Sequence, residues 1–172
     1  SGRTAKCLHF STKKQNIFQK LFKAKKVLKS EYKVITGSRR VALKDFSKPS
    51  YYENNNFRKK WHDFFSDKLK KSEQVFYELV GYTGDDALIM GQHSTDGCDK
   101  EIAKKYGKTV RYTYGTEQGQ CDCYVYRMNM TNEDGYVVEY TTEQVKQRCL
   151  DMGVKFVPIL KEFTYQSVDD LK

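Results

Sequence analysis

One acidic side chain interrupts a strongly apolar run near the middle of the chain. Residues 75–82 read Val-Phe-Tyr-Glu-Leu-Val-Gly-Tyr, and their β-branched and aromatic side chains favour a strand. Alternation along that strand puts Glu78 on the face that carries Phe76 and Val80. A carboxylate on such a face is costly unless it meets a partner, a ligand or solvent. Glu78 is therefore the first candidate for function, with an edge position open to water as the alternative.

Two further residue types could bind a ligand together with this carboxylate. Arg39 and Arg40 follow Gly37-Ser38, and aromatic residues recur in the strand-like runs. Arginines bind phosphate through paired hydrogen bonds, aromatic rings stack on bases, and a carboxylate accepts hydrogen bonds from ribose hydroxyls. The combination predicts a site for a planar base and its phosphates. The sequence holds no Walker A loop, dinucleotide fingerprint, HExxH or GxSxG motif.

The elements that must position these residues are mostly predicted strands. Alternation over 4–10 and 32–36 predicts a long hairpin, which a lysine-rich insertion over 11–30 connects. Helical spacing predicts a helix over 57–69, and a capping box begins another at Thr141 that ends at Gly153. Residues 83–108 are predicted to be irregular, with a short helix near 100–106. Further strands are predicted over 110–114, 121–130, 136–140 and 154–157. The chain is therefore predicted to form one α+β domain over 1–172, with antiparallel sheets and packed helices.

Positive charge is concentrated at the start of the chain. The net charge is +9, and residues 1–30 hold nine basic side chains and no acidic one, which leaves 22 basic and 22 acidic residues in the rest. Such a segment attracts a polyanion by counterion release. We expect contact with RNA or DNA in this segment, at Lys20, Lys23, Lys25 and Lys26, and the alternative is a solvated, solubilising insertion.

The cysteine and apolar content indicates the setting of the protein. Five cysteines are present, with no CxxC pair, and free thiols in a reducing cytosol are expected. No apolar run approaches the roughly 20 residues of a membrane span. The three histidines, His9, His62 and His93, have no ligand-like spacing, so no protein metal site is predicted. We therefore expect a cytoplasmic protein that does not enter a membrane.

Several motifs together resemble the phage-type ATP-dependent RNA ligases. The run from Phe76 to Tyr82 resembles the Tyr-Gly-Glu-(Ile/Leu)-Val-Gly-Tyr segment of that family. Further segments resemble the family's in the same order: Gly37-Ser-Arg39 upstream, then Lys105-Tyr-Gly-Lys, Tyr112-Thr-Tyr-Gly115, Tyr124-Val-Tyr-Arg-Met, the Asp134-Gly135 hairpin and Val157-Pro158. The resemblance spans nearly all of residues 1–165, and the order of the motifs makes it more specific than any one of them.

The resemblance implies a partial nucleotidyltransferase domain (an ATP-grasp-like fold shared with DNA ligases and capping enzymes). In that family a lysine attacks ATP with Mg²⁺ present, and AMP is held as a phosphoramidate. AMP then passes to an RNA 5′-phosphate, and a 3′-hydroxyl displaces it to seal the strand. The expected partner is therefore RNA with 5′-phosphate and 3′-hydroxyl ends, in RNA repair in a phage or in its host's cytosol.

The resemblance also assigns roles to single residues. Glu78 resembles the glutamate that contacts the ribose, and Arg39 resembles the early arginine near the nucleotide, although Arg40 fits the motif too. Tyr126 falls where the family has an aromatic on the adenine face, with a core position as the alternative. Arg3 matches the arginine that ends the family's Lys-x-His-Gly-Thr-Ser-x-Arg motif. Tyr77 departs from a frequent glycine, and we expect it to narrow the pocket.

The same motif places the nucleophilic lysine just before residue 1. Ser1-Gly2-Arg3 matches its end, and no other lysine of the chain lies in such a motif. The family's later Glu-Gly-(Val/Ile)-Val and Lys-x-Lys motifs are also missing, so we expect this chain to be inactive in self-adenylylation. The alternatives are a catalytically dead module that binds RNA or protein, and a fragment of a capping-type guanylyltransferase.

Overall fold

The computed structural model describes residues 1–12, 28–38, 41–43, 46, 56–84, 87–164 and 167. Within these residues a seven-stranded sheet has the order β3-β2-β1-β4-β7-β8, and β9 pairs with β7 beside β8. Its strands are β1 (Gly2–Thr12), β2 (Leu28–Ser38), β3 (Ala42–Leu43), β4 (Glu73–Gly81), β7 (Cys121–Thr131), β8 (Val137–Glu139) and β9 (Lys155–Phe156). The helices are α1 (Asn56–Lys68), α2 (Lys100–Tyr106) and α3 (Thr142–Met152). The predicted α+β class is confirmed, and the pairing is antiparallel except between β7 and β9.

The first two strands form the long hairpin that the sequence predicts. They pair in antiparallel register from Gly2 opposite Ser38 to Thr12 opposite Leu28. Only the first part of β1, Gly2–Ala5, also pairs with β4, so the rest of the hairpin projects beyond the sheet. The lysines at which nucleic-acid contact is expected lie outside the described residues: Lys20, Lys23, Lys25 and Lys26.

The core lies on one face of the sheet, under α1 and α3. Alternate residues of β4 and β7 point into it because side chains along a strand alternate between faces. Phe65 of α1 stacks on Tyr77 with ring centroids 5.0 Å apart. The capping box at Thr141 and Gln144 begins α3 as predicted. Other core side chains are those of Leu69, Val75, Cys123, Val125, Met128, Val145, Cys149 and Met152.

A buried ion pair joins α1 and α3 to β4. Glu73 is fully buried and accepts hydrogen bonds from Arg148 Nε at 2.9 Å and Nη2 at 3.0 Å. It also accepts from the Tyr140 hydroxyl at 3.1 Å and the Lys70 amide at 2.8 Å. Burial alone would raise the pKa of Glu73, but the bonds from Arg148 and Lys70 outweigh it and lower the pKa. Arg148 Nη2 also donates to the Lys68 carbonyl at 2.6 Å, at the end of α1.

A chain of buried hydroxyls links the sheet to α1. Thr4 Oγ1 lies 3.1 Å from the Tyr77 hydroxyl and 2.8 Å from Thr36 Oγ1. Thr36 Oγ1 lies 2.8 Å from His62 Nδ1 on α1. The Tyr77 ring covers Gly2, where an added Cβ would approach the ring to 2.5 Å. Tyr77 therefore requires a residue without a side chain on the neighbouring strand.

A small two-stranded sheet stands apart from the large one. It pairs β5 (Gln92–Ser94) with β6 (Thr109–Arg111), in a stretch that the sequence predicts to be largely irregular. Buried Thr95 stabilises it, since its hydroxyl donates to the Gly107 carbonyl at 2.7 Å and its amide to the Lys108 carbonyl at 3.0 Å. Strand β5 was not predicted, whereas β6 overlaps the strand predicted over 110–114 and the short helix α2 was predicted correctly.

Two further expectations concern the chain as a whole. All five cysteines are free thiols, as expected, and Cys121 and Cys123 both point into the core. Among the helices of the described residues, none combines the length and the apolar character that crossing a membrane requires.

Candidate nucleotide site

A bulge in β7 decides which side chains reach the face of the sheet opposite the helices. Phe76 of β4 pairs with Arg127, but the next residue, Tyr77, pairs with Val125. Tyr126 is therefore an extra residue in the described β4–β7 ladder. The extra residue shifts the alternation, so that Tyr126 and Arg127 are both exposed while their flanking residues are buried.

Arg127 is fixed in place by its neighbours. Its Nε donates to Glu139 Oε2 at 2.9 Å and its Nη2 donates to Glu139 Oε1. The guanidinium carbon lies 4.6 Å from the centroid of the Phe76 ring. The Arg127 hydrogen bond is the main cause that lowers the pKa of Glu139 to about 2, and Asn129 adds a second bond. Because the Glu139 carboxylate stays ionised down to acidic pH, its ion pair with Arg127 is intact at neutral pH.

Glu78 of β4 lies next to the bulge, one residue beyond the pairing of Tyr77 with Gly2 at the start of β1. Its side chain is 49% exposed, and its Oε2 lies 2.8 Å from the amino nitrogen of Ser1. The pKa of Tyr126 is raised, first by partial burial and then by the negative charge of Glu78. Exposure to solvent thus offsets the cost of placing a carboxylate on this face. The fully buried acid of β4 is Glu73, which the sequence reasoning did not single out.

These side chains line one open cleft of about 380 Å³. Arg3 enters it from β1, where it stands directly opposite Phe76. Phe76 and Tyr126 contact each other at the base, with ring centroids 6.5 Å apart. We call this the Glu78 cleft, defined by Arg3, Phe76, Glu78, Tyr126 and Arg127. Its volume falls within the roughly 300–1,000 Å³ of small-molecule sites, and it combines two cations, a carboxylate and two rings.

Three comparisons, with protein-family models, with curated proteins and with solved structures, find no match for this chain. The function must therefore be argued from the site itself and from the sequence motifs.

The predicted site residues fall into three groups. Arg3, Glu78 and Tyr126 meet in the Glu78 cleft. Arg39 and Arg40 lie outside the described residues. The expectation that Tyr77 narrows this pocket is wrong, because the Tyr77 side chain points to the opposite face of β4 and is buried in the core.

A second, more apolar groove of about 650 Å³ begins at the other side of Glu78. We call it the Met90 groove, and its walls include Leu79, Met90, Tyr114 and Pro158. The Ile89 amide donates to the Gly81 carbonyl at 2.9 Å, which holds one wall against the end of β4.

Gly81 itself leaves no room for a side chain. An added Cβ would lie 2.5 Å from both the Gln120 carbonyl and the Thr116 hydroxyl, and the backbone has a positive φ of 95°. This close approach explains why glycine stands in the Val-Gly-Tyr run and how the loop before β7 is held beside the groove.

Among the described residues, no three His, Cys, Asp or Glu side chains converge as a metal site would require. Glu78 is the carboxylate that lines the Glu78 cleft.

Sequence reasoning missed Phe76 and Arg127 as parts of the site. A signal for Arg127 was present in β7, where apolar residues occupy odd positions up to Val125 and even positions from Met128 onward. A change of phase within one strand indicates a bulge, and a bulge brings two consecutive side chains to one face.

Proposed function

We propose that this chain is the nucleotide-binding part of an ATP-dependent RNA ligase of the covalent nucleotidyltransferase type. The observation that carries the proposal is the meeting of Arg3, Glu78 and Tyr126 in one cleft. Arg3 and Tyr126 were selected by motif and Glu78 by strand alternation as well as by motif. The three residues lie on three different strands, and nothing in their spacing along the chain requires them to converge.

In this proposal each side chain of the cleft has a task toward AMP. Tyr126 stacks on the adenine, which contributes about 1–3 kcal/mol, and the Phe76 ring supports it from below. Glu78 accepts hydrogen bonds from the ribose hydroxyls. Arg3 and Arg127 face the phosphates, and Arg127 is oriented by Glu139 before any ligand arrives.

The covalent step needs a lysine that this chain does not carry in the right motif. In the complete reaction the unprotonated lysine Nζ attacks the α-phosphorus, a P–N bond forms, and the bond from that phosphorus to pyrophosphate breaks. The Ser1 nitrogen lies in the cleft beside Glu78.

The later steps transfer AMP to the 5′-phosphate of RNA, after which a 3′-hydroxyl displaces AMP and closes the strand. Mg²⁺ would enter with the triphosphate, since this ion prefers substrate phosphate oxygens with one or two protein carboxylates. The protein groups available toward such a complex are Arg3 and Arg127 for the phosphate charge and Glu78 for the sugar.

Nucleotide selectivity tests the proposal on the chain as it stands. Equilibrium dialysis with labelled ATP, GTP and Mg²⁺ should show binding of ATP in preference to GTP, without label that survives denaturation. Preference for GTP would support the capping-type alternative instead. Label that stays on the denatured protein would refute the placement of the nucleophile outside this chain. Absence of nucleotide binding would remove the proposal and favour a module that binds RNA or protein only.

A further inference from the structure

Exposed aromatic rings form a continuous row on the small sheet, away from the Glu78 cleft. His93 and Tyr112 are in edge contact with ring centroids 5.2 Å apart, and Tyr112 lies 6.2 Å from Tyr114. We call these three residues the aromatic row. Tyr112 is 43% exposed and Tyr114 is 51% exposed, so the rings are not filling a core.

The row leads directly into the Met90 groove, because Tyr114 belongs to both. The backbone of Tyr114 has a φ of 54°, a left-handed conformation that is unfavourable for a residue with a side chain. The Tyr114 hydroxyl donates to Met90 Sδ at 3.3 Å. This strained residue therefore places one ring in the wall of a groove that Glu78 also lines.

Basic side chains cluster in α2 and β6, beside the row, while the loop before α2 carries Asp96 and Asp99. Between Lys100 and Arg111 the chain has five basic residues and one acidic residue, and the lysines of this stretch are exposed. A row of rings flanked by cations has the two features that bind single-stranded nucleic acid, namely faces for bases and charge for phosphates. A protein partner could also contact the exposed rings, but the excess of positive charge would favour its binding only if that partner were acidic.

We propose that the aromatic row and the Met90 groove form a track for single-stranded RNA. Bases stack on His93, Tyr112 and Tyr114, and the terminal nucleotide lies in the groove next to Glu78. This inference rests on the proposed function, since it supplies the route by which an RNA end reaches the nucleotide cleft. It assigns a role to the small sheet, which contributes no residue to the cleft itself.

Binding of a fluorescein-labelled single-stranded oligoribonucleotide, followed by anisotropy, tests the track. Tyr112→Ala should weaken binding by about 5- to 100-fold, the loss expected when one stacking ring is removed. Tyr112→Phe should bind as the wild type does, because stacking needs the ring and not the hydroxyl. A duplex of the same sequence should be insensitive to Tyr112→Ala.

Tyr136→Ala is the matched control, since Tyr136 is 72% exposed in the turn between β7 and β8. Equal affinities of Tyr112→Ala and Tyr136→Ala would overturn the proposal and leave the row as a surface for another class of partner. ATP binding measured on the same samples separates the two proposals. Intact ATP binding with no effect of Tyr112→Ala on RNA refutes the track alone. If Tyr112→Ala loses RNA binding and the wild type binds no ATP, the track is supported and the nucleotide cleft is refuted.

Discussion

Removing Arg148 should expose how much the fold depends on the buried carboxylate of Glu73. The variant Arg148→Met keeps most of the side-chain volume but deletes two hydrogen bonds to Glu73 and one to the carbonyl of Lys68. Glu73 is then a buried charge with two weaker donors, the Tyr140 hydroxyl and the Lys70 amide. Breaking a buried pair in this way costs about 3–5 kcal/mol, a large part of the roughly 5–15 kcal/mol that stabilises a typical domain.

The pH dependence of the free energy of unfolding identifies the cause. In the wild type the pKa of Glu73 is lowered from 4.5, so its contribution is present above that pH and is lost as the pH falls through the folded-state pKa. Without Arg148 burial dominates and the pKa of Glu73 rises, so Glu73 takes up a proton more readily and its penalty is relieved in acid. The stability difference between wild type and variant should therefore be largest at neutral pH and shrink as the pH falls through the raised pKa of Glu73 in the variant.

Urea unfolding followed by circular dichroism, from pH 3.5 to 7.5, measures this difference. The double variant Glu73→Gln with Arg148→Met should regain part of the lost stability, because it no longer buries a charge. A loss below about 1 kcal/mol for Arg148→Met, or a difference that does not change with pH, would refute the reasoning.

Three other expectations can be measured directly. Gly2→Ala should lower the free energy of unfolding by about 1–3 kcal/mol, because its Cβ meets the Tyr77 ring at 2.5 Å; an equal loss in a Tyr77→Leu background would contradict that cause. Burial lowers the pKa of His62 from 6.5, so stability should fall as the pH drops below 6.5, and urea unfolding of His62→Gln should lack this part of the pH dependence; an unchanged profile would refute it. Replacing the four lysines Lys20, Lys23, Lys25 and Lys26 with serine should weaken RNA binding and flatten its salt dependence. An unchanged slope in a filter-binding titration at several salt concentrations would favour the solvated insertion.

The long elements could be predicted because their signals are local. The apolar spacing of α1 and the capping box of α3 follow from side chains within one or two turns. The β1–β2 hairpin follows from alternation on both sides of the lysine-rich insertion. The small sheet could be predicted only in part. The strand predicted over 110–114 overlaps β6, but β5 is only three residues long, and the pair is held by loop contacts such as that of Thr95.

The candidate site was predictable only in part, for a similar reason. Motifs pointed to Arg3, Glu78 and Tyr126, but a motif carries no information on which face a side chain takes. Tyr77 shows the difference, because alternation and the bulge turn it into the core while its neighbour Glu78 stays in the cleft. Arg127 depends on a bulge that arises from the pairing of two distant strands, so its role became clear only in three dimensions.

Affinity for ATP in Glu78→Ala tests the central claim most directly. Calorimetric titration of ATP with Mg²⁺ should give an affinity about 10- to 100-fold weaker than that of the wild type, the loss expected for hydrogen bonds to a charged group. Glu143→Ala should bind as the wild type does, since Glu143 is 79% exposed on α3, across the sheet from the cleft. Equal affinities of Glu78→Ala and Glu143→Ala would contradict the account.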